Sequence, residues 1–252
     1  MTEGRRTTFR LSVHDSLPST SDLCRARALD GEPEGLAVLA RRQTRGRGTN
    51  GRAWQSPAGN LYLSVLLRPA EPARHAGQWS LLAAVALAEA LTPLLPDPQA
   101  LALKWPNDAL LHGRKLAGIL TETSAGPDGM LSFLVIGFGV NLSEAPQLPD
   151  RPTACLAEAS PPPAPEVFAD HLLAALDTWR EVRAREGFAI VREAWLARGP
   201  QPEAPLQVRL GATTQAGRFA GLGPDGSLLL ATAAGIRTFV AGEVVAPQPG
   251  GA

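Results

Sequence analysis

The chain has 252 residues, enough for one large domain or a large and a small one, and enough to bury a core without disulfide or metal staples. Lys+Arg and Asp+Glu both number 24, so no global charge draws it to nucleic acid or to acidic lipid. Cys24 and Cys155 are the only cysteines, and neither has a His or Cys close by in sequence. That excludes a disulfide framework and argues against a zinc site, and it suits a reducing cytoplasm.

The opening MTEGRRTTFR has no apolar run of the signal-peptide kind. The longest apolar run, Leu81 to Leu95, is broken by Glu89 and Pro93 and is too short to span a bilayer. A cytoplasmic protein with no membrane attachment is expected. In chain order, Ser19-Thr20-Ser21-Asp22 reads as a capping box, opening a helix that runs to about Leu29. Residues 35–40 (GLAVLA) and Asn60 to Leu67 read as buried strands, and Gln78 to Leu91 as an Ala/Leu-rich helix. Leu101–Trp105 and Ala117–Glu122 read as short strands joined by a turn around Gly113, and Leu131–Val140 as a further apolar strand. Ser160 to Pro165 is a stiff proline-rich connection, followed by two amphipathic helices, Glu166–Arg185 and Phe188–Arg198. Gly199 to Pro205 then marks a boundary. Beyond it Leu206, Val208 and Leu210 alternate with polar residues, and Pro224-Asp225-Gly226 signals a turn. Two domains are expected, 1–200 and an all-β unit over 201–252.

Four stretches carry the chemistry. Arg45 to Arg52 reads RGRGTNGR, three arginines and three glycines in eight residues. Alone it fits a solvated basic loop as well as an anion-binding one, in which glycines admit backbone N–H groups and arginines supply forked donors. It is neither a Walker A motif nor a dinucleotide fingerprint. Close arginines repel, so the loop is expected to be mobile until an anion orders it, with Gly48 needing positive φ. Lys104-Trp-Pro-Asn-Asp108 fits a strand running into a turn. In Arg114-Lys-Leu-Ala-Gly-Ile-Leu120, Lys115 stands at the mouth of an apolar strand. In Gly137-Phe-Gly-Val-Asn-Leu142 the glycines mark either close backbone approach or a bulge.

In this order the motifs closely resemble those of the biotin–protein ligases, from about residue 15 to the C-terminus. The pattern runs Ser19-Thr20, Gln43, Gly46-Arg47-Gly48, Gly51-Arg52, Trp54, Asn60 to Ser64, KWPND, RKLAGIL and GFGVNL. The resemblance implies an α+β fold: a mixed β-sheet with packed helices, related to class II aminoacyl-tRNA synthetases, plus a small C-terminal SH3-like barrel. It implies two steps. Biotin's carboxylate attacks the α-phosphate of ATP, and a carrier lysine then attacks the biotinyl-5′-AMP. By this pattern Arg47 and Lys115 are catalytic. Ser19, Thr20, Ser21, Gln43, Gly46, Gly48, Thr49, Trp54, Tyr62 and Gly118 join them around biotin. Arg52, Lys104, Asn107, Asp108 and Asn141 fall at the nucleotide, with Asp108 acting through Mg²⁺.

Two positions depart from the pattern. Ser21 stands where the family often has Asn, and Thr49 where many members have a second arginine. The expected partner is a biotin carboxyl carrier domain of acetyl-CoA carboxylase or a related carboxylase. No DNA partner is expected, because the ligase pattern starts almost at once and leaves no room for a helix-turn-helix. A homodimer is the assembly considered, though no sequence feature fixes it. The rival readings are a lipoate ligase or octanoyltransferase of the same fold, an RNA-binding module using the arginine loop, and an adaptor explaining only the C-terminal unit. Neutral net charge and the absence of interleaved aromatics within the loop disfavour the second.

Overall fold

The computed structural model describes residues 9–148 and 151–245. Seven strands form the larger sheet: β1 (Arg10–His14), β2 (Leu36–Ala40), β3 (Leu61–Leu67), β4 (Leu101–Lys104), β5 (Asp108–Leu111), β6 (Arg114–Ala125) and β7 (Leu131–Val140). Their order is β1-β2-β3-β7-β6-β5-β4. β1 and β2 run parallel because helix α1 (Thr20–Leu29) crosses between them, and every other neighbouring pair is antiparallel. The sheet is therefore mixed.

Both faces of its centre are covered, and β3 reflects this in being buried at every position. Leu61, Leu63, Val65 and Leu67 face the main core, built with α2 (Ala76–Leu91), α3 (Pro165–Glu186) and α4 (Phe188–Leu196). On the other face Leu66 packs with Cys24 and Ala28 of α1. α2 lies between the sheet and α3/α4, so nearly all its residues are buried and it lacks a polar stripe.

The smaller sheet is β8 (Pro205–Leu210), β9 (Thr213–Leu222), β10 (Leu228–Thr232), β11 (Gly235–Phe239) and β12 (Glu243–Val245), antiparallel in the order β11-β10-β9-β8-β12. Among the described residues no pairing joins β11 to β12, so this is a five-stranded sheet rather than a closed barrel. Its inward side chains Val208, Phe219, Leu228 and Leu230 belong to the same apolar cluster as α2.

Arg10–His14, to which the sequence reading assigned no element, is a strand because it pairs with β2 at the sheet edge. Two sequence expectations are corrected. The Pro-Asn-Asp turn is followed at once by β5, so the turn at Gly113 joins β5 to β6 rather than the two strands expected. β6 also extends over twelve residues instead of six, since β7 pairs with it along its length.

Trp105 ties the two sheets together. It is 3% exposed, and its indole N–H donates to the Gly226 carbonyl at 3.1 Å. Trp105→Ala is expected to cost about 3–5 kcal/mol, the usual range for a buried aromatic. Because the core is continuous, urea should unfold both sheets in one transition in the parent protein. Far-UV and tryptophan signals that separate there would contradict a shared core.

Candidate functional site

The N-terminus of α1 forms one end of the site. Ser19 caps the helix, its hydroxyl accepting from the Asp22 N–H at 3.4 Å. Only this half of the expected capping box is present, because the Asp22 carboxylate is engaged by Arg47 instead. Thr20 donates its backbone N–H to Gln43 Oε1 at 2.8 Å, and its hydroxyl lies 2.8 Å from that of Ser64. The Ser21 hydroxyl lies 3.0 Å from the same Ser64 oxygen. The Gln43 amide N–H donates to Ser56 Oγ at 3.2 Å. Buried hydroxyls and one amide thus form a polar end against an otherwise apolar sheet. Ser64 is the member without an assigned role in the sequence reading. The available signal was a lone hydroxyl inside the apolar run NLYLSVLL.

RGRGTNGR forms a short hairpin. The Trp54 N–H donates to Gly46 O at 2.9 Å and the Gly48 N–H to Arg52 O at 2.8 Å. Gly51 takes the left-handed conformation, φ +72°, at the turn. Gly48 has φ −114° and does not need glycine's freedom, which corrects the sequence expectation. Gly46 does have a steric role, since a Cβ there would meet the Trp54 carbonyl at 2.5 Å. Protein carboxylates also relieve the expected arginine repulsion. Arg47 Nη2 reaches Asp22 at 2.7 Å and Glu122 at 2.8 Å. Arg52 forms a fork to Glu243 on β12, with one arm at 2.8 Å.

Lys115 stands at the centre. Its ammonium donates to Asp108 at 2.6 Å and lies 5.5 Å from the Trp54 ring centroid. The Trp54 ring lies flat on β6 and β7, where Gly118 and Gly139 leave room that a Cβ would fill. This explains the glycines of RKLAGIL and GFGVNL. Lys115 borders four adjoining spaces, three of which together take in nearly all the candidate residues. The first, about 50 Å³, is lined by Ser19, Thr20, Ser21, Gln43, Arg47, Gly48, Thr49, Trp54, Asn107 and Gly118. The second, about 560 Å³, lies between the two sheets and takes in Thr49, Arg52, Lys104, Asn107 and Asp108. The third, about 210 Å³, takes in Arg52, Trp54 and Asn141.

Nearly all the candidate residues thus converge. Two do not line these spaces: Gly46 shapes the hairpin, and Tyr62, on the same face of β3 as Ser64 and opposite Gly139, is buried with its hydroxyl donating to Pro57 O at 2.7 Å. The Asn141 amide donates to Ala154 O at 3.1 Å, while its carbonyl oxygen is buried with no hydrogen-bond partner among the described residues. Burial lowers the pKa of Lys104, and the Lys115 charge adds to this while Asp108 opposes it.

The biotin/lipoate A/B protein ligase family profile matches residues 13–141. A biotin–[acetyl-CoA-carboxylase] ligase of Paracoccus denitrificans is 40% identical over 213 residues, covering 82% of this chain and 88% of that protein. The chain belongs to this ligase family. The bifunctional ligase/repressor BirA of Bacillus subtilis is 31% identical over 240 residues, 93% of this chain and 73% of that protein. The biotin protein ligase of Aquifex aeolicus, solved with biotin and ATP, superposes with a TM-score of 0.79 at 26% identity, covering 94% of this chain and 97% of that one. Among the described residues no helix is long and apolar enough to cross a membrane.

The link from the arginine hairpin to the smaller sheet of this ligase-family chain is sensitive to acid. Glu243 is held at a pKa of about 2 against an ordinary 4.5, chiefly by hydrogen bonds from Arg52, with burial opposing and Arg209 adding. Its folded pKa is depressed, so its contribution is complete above the unfolded value and fades as pH falls toward about 2. The gap in thermal midpoint between the parent and Glu243→Gln should be widest above about pH 5, narrow as pH falls below about 4.5 and close near about pH 2. A gap that stays constant over that range would contradict the assignment.

Proposed function

We propose that the chain joins biotin to a carrier lysine at the expense of ATP. The observation that carries this reading is the position of Lys115, where the small hydroxyl-and-amide cavity meets the larger cleft between the sheets. The polar end, with Thr20, Ser21 and Gln43, suits the N–H and C=O groups of a ureido ring. A dithiolane has no use for these groups, which disfavours the lipoate reading. In the first step a biotin carboxylate oxygen bonds to the α-phosphorus of ATP as the bond to the β-phosphate bridge breaks, releasing pyrophosphate. In the second, a carrier lysine, as the free amine, attacks the acyl carbon. AMP leaves and the amine gives up a proton.

Two anions brought to about 4 Å repel by about 4 kcal/mol at an effective dielectric of about 20. Lys115 and Arg47 offset that repulsion and stabilise charge building on phosphorus. Arg52, Lys104, Asn107 and Asn141 serve the nucleotide. Thr49 offers one hydroxyl donor where many relatives offer an arginine. The donor set fits a metal that the nucleotide brings, since Asp108 adds one carboxylate beside Lys115 and no cluster of three metal-ligating side chains occurs among the described residues. When bound, Mg²⁺ neutralises phosphate charge.

We assign residues 1–200 to a catalytic domain and 201–252 to an SH3-like C-terminal domain. A cytoplasmic enzyme fits this reading, and so does a carrier domain of acetyl-CoA carboxylase as partner, after the name of the Paracoccus relative. The reaction needs neither DNA nor a membrane.

The test supplies radiolabelled biotin, ATP and Mg²⁺ with and without a carrier domain. Pyrophosphate should be released without carrier, and label should become protein-bound only with it. Label that enters the carrier from lipoate instead would favour the rival. Lys115→Ala should slow adenylate formation by roughly 10²–10³-fold while biotin binding weakens far less. Lys115→Arg should also be impaired, because a planar fork does not reproduce a point charge. Near-parent pyrophosphate release in Lys115→Ala would remove Lys115 from the chemistry.

A further inference from the structure

Arg47 joins two walls of the small cavity. Asp22 follows Ser21 at the start of α1, one wall. Glu122 follows Gly118 and Leu120 along the same face of β6, the opposite wall. A single nitrogen, Arg47 Nη2, contacts Asp22 Oδ1 at 2.7 Å, Glu122 Oε2 at 2.8 Å and Glu122 Oε1 at 3.0 Å. The guanidinium is thus a strap tied at both ends. The cavity beneath it measures about 50 Å³, whereas small-molecule sites usually enclose about 300–1,000 Å³.

These three groups carry a formal net charge of −1, since two carboxylates face one guanidinium. The proposed ligand brings another carboxylate to the same place. Both carboxylates share Nη2, and a two-armed fork to a guanidinium uses that nitrogen, so an incoming carboxylate that pairs with Arg47 in a fork must take Nη2 from one of them. We propose that Asp22 and Glu122 are positioning residues for Arg47 that occupy its anion-binding face until the ligand's carboxylate displaces them, which sets the affinity of the site for anionic ligands. The proposal rests on the reading that this cavity takes biotin.

Displacement has a signature that mere support of the loop lacks. Removing one competing charge should favour only ligands that carry a charge themselves. The experiment measures calorimetric binding of biotin and of biotinol, the alcohol that keeps ring and tail but has no carboxylate, to the parent chain, Glu122→Gln and Asp22→Asn. Glu122→Gln should bind biotin roughly two- to fivefold tighter, the range set by a partly exposed ion pair. Biotinol affinity should stay within about twofold, since no anion competes for the arginine. Asp22→Asn should act in the same direction and more weakly, because it is the more exposed partner. Biotin affinity that falls in both variants, or biotin and biotinol affinities that change in parallel, would mean the carboxylates only support the hairpin and would overturn the proposal. A parent chain that binds neither compound would instead overturn the biotin reading on which the proposal rests.

Discussion

Fixed cations at a partly enclosed site repel one another until something neutralises them, and most of this site's construction answers that constraint. Lys115, Arg47 and Arg52 are each engaged by a carboxylate: Asp108 for the lysine, Asp22 and Glu122 for the first arginine, Glu243 for the second. The partners come from α1, β5, β6 and β12, so neutralisation is spread over the whole fold. A loop of arginines and glycines, which looks costly in isolation, is thereby held as a hairpin by charges from elements far away in sequence.

The sheet order explains how those elements meet. β7 lies between β3 and β6, which brings Ser64 on one side and Gly118 on the other beside Gly137 and Gly139. The glycines keep this stretch of sheet flat enough for the Trp54 ring to lie across it. The ring then forms a floor on which Lys115 stands, within cation–π range. A valine at residue 139 would displace the indole, and with it the surface against which the ammonium is held.

Long, strongly patterned elements were legible in the sequence. β3, β7, α2 and the two late helices lie within a few residues of where periodicity and punctuation put them. Two short strands were not, because β1 and β5 owe their state to a neighbour, whereas β2 and β4 lie where they were expected. Arg10–His14 is a strand only because β2 offers a parallel edge, and Asp108–Leu111 only because β4 and β6 flank it. The candidate residues were legible as motifs. Their partners were not, since nothing local links Arg47 to Glu122, 75 residues away, or Arg52 to Glu243, 191 away. Strand alternation puts Tyr62 on the same face of β3 as Ser64, but its depth there, which pushes its phenol pKa well above the usual value, follows from packing.

The same long-range pairs make the hairpin a link between the two sheets. Arg47 is tied to the larger sheet and α1 through Glu122 and Asp22, and Arg52 to the smaller sheet through Glu243, which Arg209 also holds. The two ends differ in what can replace them. Arg47 lies over the small cavity, where a ligand carboxylate is an equivalent partner for the one it leaves. Arg52 borders the wide cleft in a two-armed contact whose carboxylate stays ionised far below neutral pH. Exchange at the Arg47 end therefore leaves the Arg52–Glu243 pair intact. On this argument the smaller sheet serves the chemistry by holding the fixed end of a loop whose other end must let go.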